Sequence, residues 1–222
     1  MVKARVPETS FGITGDWETA AYDQMMRRLR DKGWMETRAI IKSGIDTGMA
    51  LEVGPGPGYL GLEWLKGTGG TRLKGLDISD DMVAIAERNA EEYGFKDRVE
   101  YIIADAREMP FDDNYFDGIF TNGSLHEWSH PKEIIDEIYR VLKPGGLYFL
   151  SDLKRNMNPL MKWLMWFVTK PKEIRPGLLT SIDAAYTVDE MKLMLLVTKL
   201  QGWTVKSNII GLVVSGQKPI SQ

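Results

Sequence analysis

The feature that most restricts the fold of this chain is an alternation of hydrophobic period running from Met49 to Asp152. "MALEV" reads as a strand, Leu60 to Lys66 as a helix, "LKGLDI" as a strand and Asp81 to Tyr93 as a helix. "VEYIIA" and "FDGIFT" follow as strands. Pro131 to Leu142 then reads as a helix and "GLYFLSD" as a strand, with Lys143-Pro144-Gly145-Gly146 as the turn between them. Strands joined by helical crossovers run parallel, and such a chain winds into an α/β sheet with helices on both faces. Ligands of these sheets sit beyond the carboxyl ends of the strands, where the strand order reverses.

Flanking segments complete one domain. Asp16 to Arg30 and Trp34 to Ser43 are helical, with Trp17, Ala20, Ala21 and Met25 at helical spacing, and residues 1–45 read as an N-terminal lid on a core of residues 46–152. Beyond Asp152 the alternation stops. Met157 to Val168 is rich in Met and Trp, with Leu160, Trp163, Leu164 and Phe167 at i, i+3, i+4, i+7, and the basic stretch "TKPKEIRPG" follows. Residues 153–186 are expected as an insertion over an acceptor pocket. The apolar face can be core, subunit contact, pocket mouth or a lipid-water boundary contact, and Lys170, Lys172 and Arg175 a solvated face or a site for an acidic headgroup. Residues 187–222 close the domain. A helix starts near Thr187, where Thr187 and Glu190 suit a capping box, and "WTVKSNIIG" and "LVVSGQK" form two strands too close for a crossover, hence antiparallel.

Composition removes several classes of function. The chain has no cysteine, which excludes disulfides, thiolate nucleophiles and Cys-based zinc sites, and His126 and His130 are its two histidines. No metal is expected. A net charge of -3 offers no general field for nucleic acid. "MVKARVPETS" lacks the apolar core of a secretory signal and no run is long enough to span a membrane, so a cytoplasmic location is expected, with peripheral membrane contact left open.

"LEVGPGPGYLG" admits two registers. Gly56-x-Gly58-x-x-Gly61 has the spacing of a nicotinamide-dinucleotide loop, but the strand stops at Val53 and that match begins two residues late. Counting from Glu52 gives acid-x-Gly54-x-Gly56-x-Gly58. A carboxylate there repels a pyrophosphate and tolerates an ammonium or sulfonium. Asp77 ends the second strand, where an acid accepts ribose hydroxyls. Asp105 ends the third, placed to accept from an adenine amino group, with the Ala106 amide beside it. A ribose, an adenine and an amino acid without phosphate meet these requirements. His126, after the fourth strand, is a candidate general base beside a methyl acceptor; the plainer reading packs it beside Trp128.

"LEVGPGPG", "GLDIS", "IIADAREMPF", "FDGIFTNGSLHEW" and "VLKPGGLYFLSD", in that order, resemble the class I S-adenosylmethionine-dependent methyltransferases, in particular the branch that includes ubiquinone/menaquinone C-methyltransferases. The resemblance implies a Rossmann-like seven-stranded sheet, mostly parallel with an antiparallel C-terminal strand. It implies that Glu52 and the backbone of Gly54, Gly56 and Gly58 receive the methionine part of S-adenosyl-L-methionine, Asp77 the ribose, and Asp105 with Ala106 the adenine. Ile78 and Met82 would line the adenine slot, Tyr22 in "WETAAYDQMM" would close over it, and Asn122 would offer its carbonyl to the ammonium. "TNGS" at 121–124 lacks the Asn-Pro-Pro-aromatic run used for amide or adenine amino groups. The expected activity is methyl transfer to a small, apolar or amphiphilic acceptor, leaving S-adenosyl-L-homocysteine. A non-catalytic S-adenosylmethionine-binding scaffold and a nicotinamide oxidoreductase are the competing readings, and Glu52 speaks against the latter.

Overall fold

A computed structural model describes residues 4–6 and 13–220. Most of "MVKARVPETS", read above for the lack of a signal, lies outside them. The helices are α1 (Asp16–Asp31), α2 (Thr37–Lys42), α3 (Tyr59–Gly67), α4 (Asp80–Tyr93), α5 (Pro131–Val141), α6 (Pro159–Val168), α7 (Arg175–Ala184) and α8 (Val188–Leu195). The strands are β1 (Met49–Val53), β2 (Arg72–Asp77), β3 (Val99–Ile103), β4 (Phe116–Asn122), β5 (Leu142–Leu153), β6 (Trp203–Ser207) and β7 (Gly211–Gln217). Single 3-10 turns lie at Leu125–Glu127 and Lys172–Ile174.

The strands form one seven-stranded sheet in the order β3-β2-β1-β4-β5-β7-β6. All neighbours are parallel except β7, which runs antiparallel to both β5 and β6. The order reverses at β1, which pairs with β2 on one side and β4 on the other. A ligand therefore has its place above the carboxyl ends of β1 and β4.

Strand alternation sends successive side chains to opposite layers. Ala50, Phe120 and Phe149 join α2, α3 and α4 through Ile40, Leu60, Trp64 and Ala86. Their neighbours Leu51, Ile119 and Leu150 join α5 and α8 through Ile135, Ile138, Met191 and Leu195. Glu52 shares the parity of Ala50, which carries it towards α3.

The helix boundaries follow local chemistry. Ser79 accepts from the Met82 amide at the start of α4, and Gly94 ends that helix in the left-handed region. Thr187 and Glu190 form the complete capping box of α8. Two features differ from the sequence reading. Lys143 to Gly146 is an irregularity inside β5, with partners stepping from Phe116↔Leu142 to Gly118↔Leu147. The helix α7 begins at the end of the basic, proline-bearing stretch and runs through residues to which the sequence reading gives no element; Pro176 falls in its first turn, where a missing N–H costs no hydrogen bond. Among the described residues no helix is long and apolar enough to cross a membrane.

Candidate active site

A cavity opens at the carboxyl ends of β1, β2 and β4. Gly54 and Gly56, Asp77 and Ile78, Met82, and Asp105 to Arg107 line it, together with Tyr22 from α1 and Gly123, Ser124, Glu127 and Trp128 from the loop after β4. The loop after β1 turns through three left-handed glycines, Gly54 (φ 68), Gly56 (φ 53) and Gly58 (φ 81). That conformation is strained for any residue with a Cβ. At Gly54 a Cβ would also meet Ser124 Cβ at 2.7 Å, so only glycine lets the loop after β1 lie against the loop after β4.

Asp77 holds this loop in place. Its Oδ2 accepts from the Gly56 amide at 2.9 Å and its Oδ1 from the Ser79 amide at 3.0 Å. Burial pushes its carboxyl above the ordinary value, opposed by those backbone N–H groups. Tyr22 covers the loop from α1, its ring 3.3 Å from where a Gly56 Cβ would stand. Burial raises the pKa of its hydroxyl, and Glu127, Asp77 and Asp152 raise it further. Anionic groups thus converge on Tyr22.

Asp105 follows β3 and also faces the cavity, but its carboxylate binds Arg107 Nε at 2.9 Å and Nη2 at 2.6 Å. Those bonds hold its pKa below the ordinary value. Ala106, Ile78 and Met82 line the same region, Met82 buried and Ile78 exposed. Eight of the twelve sequence-derived candidates therefore meet around one cavity: Tyr22, Gly54, Gly56, Asp77, Ile78, Met82, Asp105 and Ala106.

The other four stand apart from its lining. Glu52 is buried between β1 and α3, where it accepts from the Gly61 amide, and its Oε2 has no hydrogen-bond partner. Burial raises its carboxyl well above the ordinary range, with the Asp77 charge adding to the effect. A Cβ at Gly61 would meet Glu52 Oε2 at 2.3 Å and Leu73 Cδ2 at 2.4 Å, so Gly61 admits the acid beneath the helix. Each register of the glycine run has its own structural counterpart: Gly54, Gly56 and Gly58 shape the turn, and Gly61 allows close helix-strand packing. Gly58 is the N-cap residue of α3. Asn122 ends β4 and donates from Nδ2 to Ser151 Oγ at 2.9 Å.

His126 sits in the 3-10 turn after β4, buried behind the cavity wall. Its amide donates to Asp152 Oδ2 at 2.7 Å, and its Nδ1 lies 2.8 Å from Asp152 Oδ1. A carboxylate at that distance fixes the proton on Nδ1 and leaves Nε2 as the basic nitrogen. That nitrogen is 3.9 Å from Oε1 of Glu127, which does line the cavity. Asp152, Glu127, Ser124 and Arg107 carry no role in the sequence reading. Glu127 had a local signal, since it adjoins His126. Asp152 is the penultimate residue of β5, and only the β4–β5 pairing brings it to the histidine.

The cofactor considered above is tested by this donor set. Asp105 and Arg107, the one basic lining residue among those described, neutralise each other, and Asp77 and Glu127 leave the wall acidic. Such a wall disfavours a pyrophosphate and suits a cationic ligand. Ile78, Met82 and Ala104 supply apolar contact for a planar ring. The residues present fit S-adenosylmethionine.

The chain resembles known proteins in sequence and in fold. Residues 51–150 match the methyltransferase domain family. The chain is 28% identical over 153 residues to a ubiquinone/menaquinone biosynthesis C-methyltransferase of Roseobacter denitrificans, covering 69% of this chain and 54% of that one. It is 34% identical over 96 residues to the mitochondrial 2-methoxy-6-polyprenyl-1,4-benzoquinol methylase of Bos taurus, covering 43% of this chain and 29% of that one. The chain thus spans about half the length, or less, of these curated relatives. The solved structure of a proposed S-adenosyl-L-methionine-dependent methyltransferase from Methanococcus maripaludis superposes with a TM-score of 0.74 at 21% identity, covering 99% of both chains. That likeness shows the fold.

Proposed function

We propose that this chain, whose residues 51–150 match the methyltransferase domain family, is a class I S-adenosylmethionine-dependent methyltransferase that transfers a methyl group to a small amphiphilic acceptor of the quinol or phenol class. The observation that carries the reading is the acidic cavity at the strand-order reversal, walled by Asp77 and Glu127 and the Asp105–Arg107 pair beside the left-handed glycine loop. When bound, S-adenosylmethionine supplies an electrophilic methyl group on a sulfonium. The chain's own part is to bind, orient and exclude water.

Asp77 keeps lone pairs for ribose hydroxyls while its loop bonds fix it. Ile78 and Met82 hold the ring from one side, with Asp105 and the Ala106 amide at its polar edge. The loop Gly54 to Gly58 gives backbone groups to the amino-acid end, and Tyr22 closes the site from α1. Glu52 acts at one remove, by seating α3 and with it the loop. Asn122 acts in the same way through Ser151, fixing the end of β4.

A hydroxylated ring becomes a better nucleophile as it loses its proton. Glu127, in the cavity wall, is the carboxylate placed to receive that proton. His126, oriented by Asp152 with Nε2 towards Glu127, is the buried base behind it. The quinone-related names of the relatives support the acceptor class, and the acidic wall disfavours an anionic acceptor.

Release of S-adenosylhomocysteine, measured over a panel of quinols, phenols, thiols and amines, tests this reading. Turnover with a quinol or phenol is expected. Cofactor binding with no turnover on any acceptor would favour the non-catalytic reading instead.

A further inference from the structure

The helix α6 leaves most of its apolar side chains exposed. Leu160, Trp163, Leu164 and Phe167, its apolar stripe, are 72%, 57%, 43% and 57% exposed, and no residue of the helix is buried. Met161, Lys162 and Met165 are its less exposed side chains, and Lys162 Nζ pairs with Asp183 of α7 at 2.9 Å. Trp163 and Phe167 stack on one another at 5.7 Å in the exposed stripe. An amphipathic surface helix ordinarily turns this stripe to the core, since leaving such side chains in water costs about 1.5–3 kcal/mol each.

The helix is nonetheless firmly made. Asn158 caps its start, accepting from the Leu160 amide, and Pro159 occupies its first turn. At the other end Arg175 donates to the carbonyls of Phe167 and Thr169 and lies 4.4 Å over the Trp166 ring. The stripe is therefore presented already folded, without an ordering step on binding.

Charge indicates what it meets. Between Lys154 and Arg175 the chain carries Lys154, Arg155, Lys162, Lys170, Lys172 and Arg175 against a single acid, Glu173, in a protein whose net charge is -3. Lys170 and Lys172, directly after the stripe, are exposed and have no ion-pair partner among the described residues. The β6–β7 turn adds Ile209 and Ile210, 63% and 40% exposed, and the Ile210 carbonyl accepts from the Lys154 amide at the end of β5. Apolar side chains, paired aromatics and adjacent unpaired lysines thus project from the carboxyl edge of the sheet, the edge that carries the cavity. A second copy of the chain would set these lysines against lysines.

We propose that α6, with Lys170 and Lys172, is a docking surface for an anionic lipid bilayer, seating the stripe among the acyl chains and the lysines among the headgroups. The inference is independent of the transferred group, because the surface is separate from the cavity lining. Its test needs neither cofactor nor acceptor. Co-sedimentation is measured with vesicles of phosphatidylcholine alone and of phosphatidylcholine with phosphatidylglycerol. Melting temperature and size by analytical ultracentrifugation are measured on the same samples.

Sedimentation with the anionic vesicles is expected. Trp163→Ser with Phe167→Ser should weaken it about a hundredfold, and Lys170→Gln with Lys172→Gln about thirtyfold, both at unchanged melting temperature. No sedimentation with anionic vesicles would overturn the inference. So would vesicle binding that ignores the Trp163 and Phe167 changes, or a dimer that those changes dissolve in a protein indifferent to vesicles.

Discussion

Two regions of this molecule handle groups out of their usual place in opposite ways. At the switch point, carboxyl groups are drawn out of water: Glu52 is buried under α3 and Asp77 half-buried under the glycine loop, both with pKa values raised by desolvation. At α6, large apolar side chains are exposed. Each arrangement opposes the ordinary partition of residues between core and water. These acids are held by backbone amides, from Gly61 in one case and from Gly56 and Ser79 in the other, and so belong to the architecture itself. The exposed stripe packs against no buried core residue among those described. An internal structural cause accounts for the first region, and the proposed bilayer contact would account for the second.

Substitutions in the two regions should therefore differ in kind. The largest expected effect is at Asp77. Asp77→Ala removes the loop anchor and the proposed ribose acceptor, and should weaken S-adenosylhomocysteine binding by about 1.5–3 kcal/mol in titration calorimetry. Unchanged affinity in a folded variant would move the ligand out of this cavity.

Next is Gly61→Ala, whose new methyl group collides with Glu52 and Leu73. A loss of about 1–3 kcal/mol is expected in denaturant unfolding. Combining it with Glu52→Ala should recover part of that loss, because the shorter side chain vacates the space the methyl needs. Strict additivity would mean that the two positions do not compete.

Glu52→Gln gives a smaller effect with a definite dependence on pH. A carboxyl whose folded pKa lies above its unfolded value binds more protons when folded, so its contribution to stability falls as pH rises from the unfolded pKa towards the folded one. Glu52→Gln should therefore look more favourable relative to wild type at pH 8 than at pH 5. Equal differences at the two pH values would show that Glu52 does not titrate across that window. Trp163→Ala is expected to change least, with stability within about 0.5 kcal/mol of wild type and S-adenosylhomocysteine affinity unaltered. A marked loss of stability would place Trp163 in a core.

Much of the first region was legible in the sequence, because it is written in local signals. Strand ends, a glycine run and an acid at the end of each of two further strands located the cavity. What stayed hidden was orientation. Glu52 reads as a ligand-facing acid until strand parity is applied: Leu51 and Val53 face the α5 layer, so Glu52 faces α3. The Asp152–His126 pair joins residues brought together only by the sheet. The helix α7 was obscured by the Pro176-Gly177 dipeptide, which reads as a loop signal although proline suits a first helical turn. For α6 the periodicity named the correct face, but no spacing tells whether a face is covered. The structure takes that stripe away from the core and leaves it outside the cavity lining.

The most direct test of the cavity's assignment is a pair of calorimetric titrations of the wild-type protein, one with S-adenosylhomocysteine and one with NAD. The acidic wall and the left-handed loop require saturable binding of S-adenosylhomocysteine, lost in Asp77→Ala, and no measurable heat with NAD. Saturable NAD binding without response to S-adenosylhomocysteine would contradict the assignment.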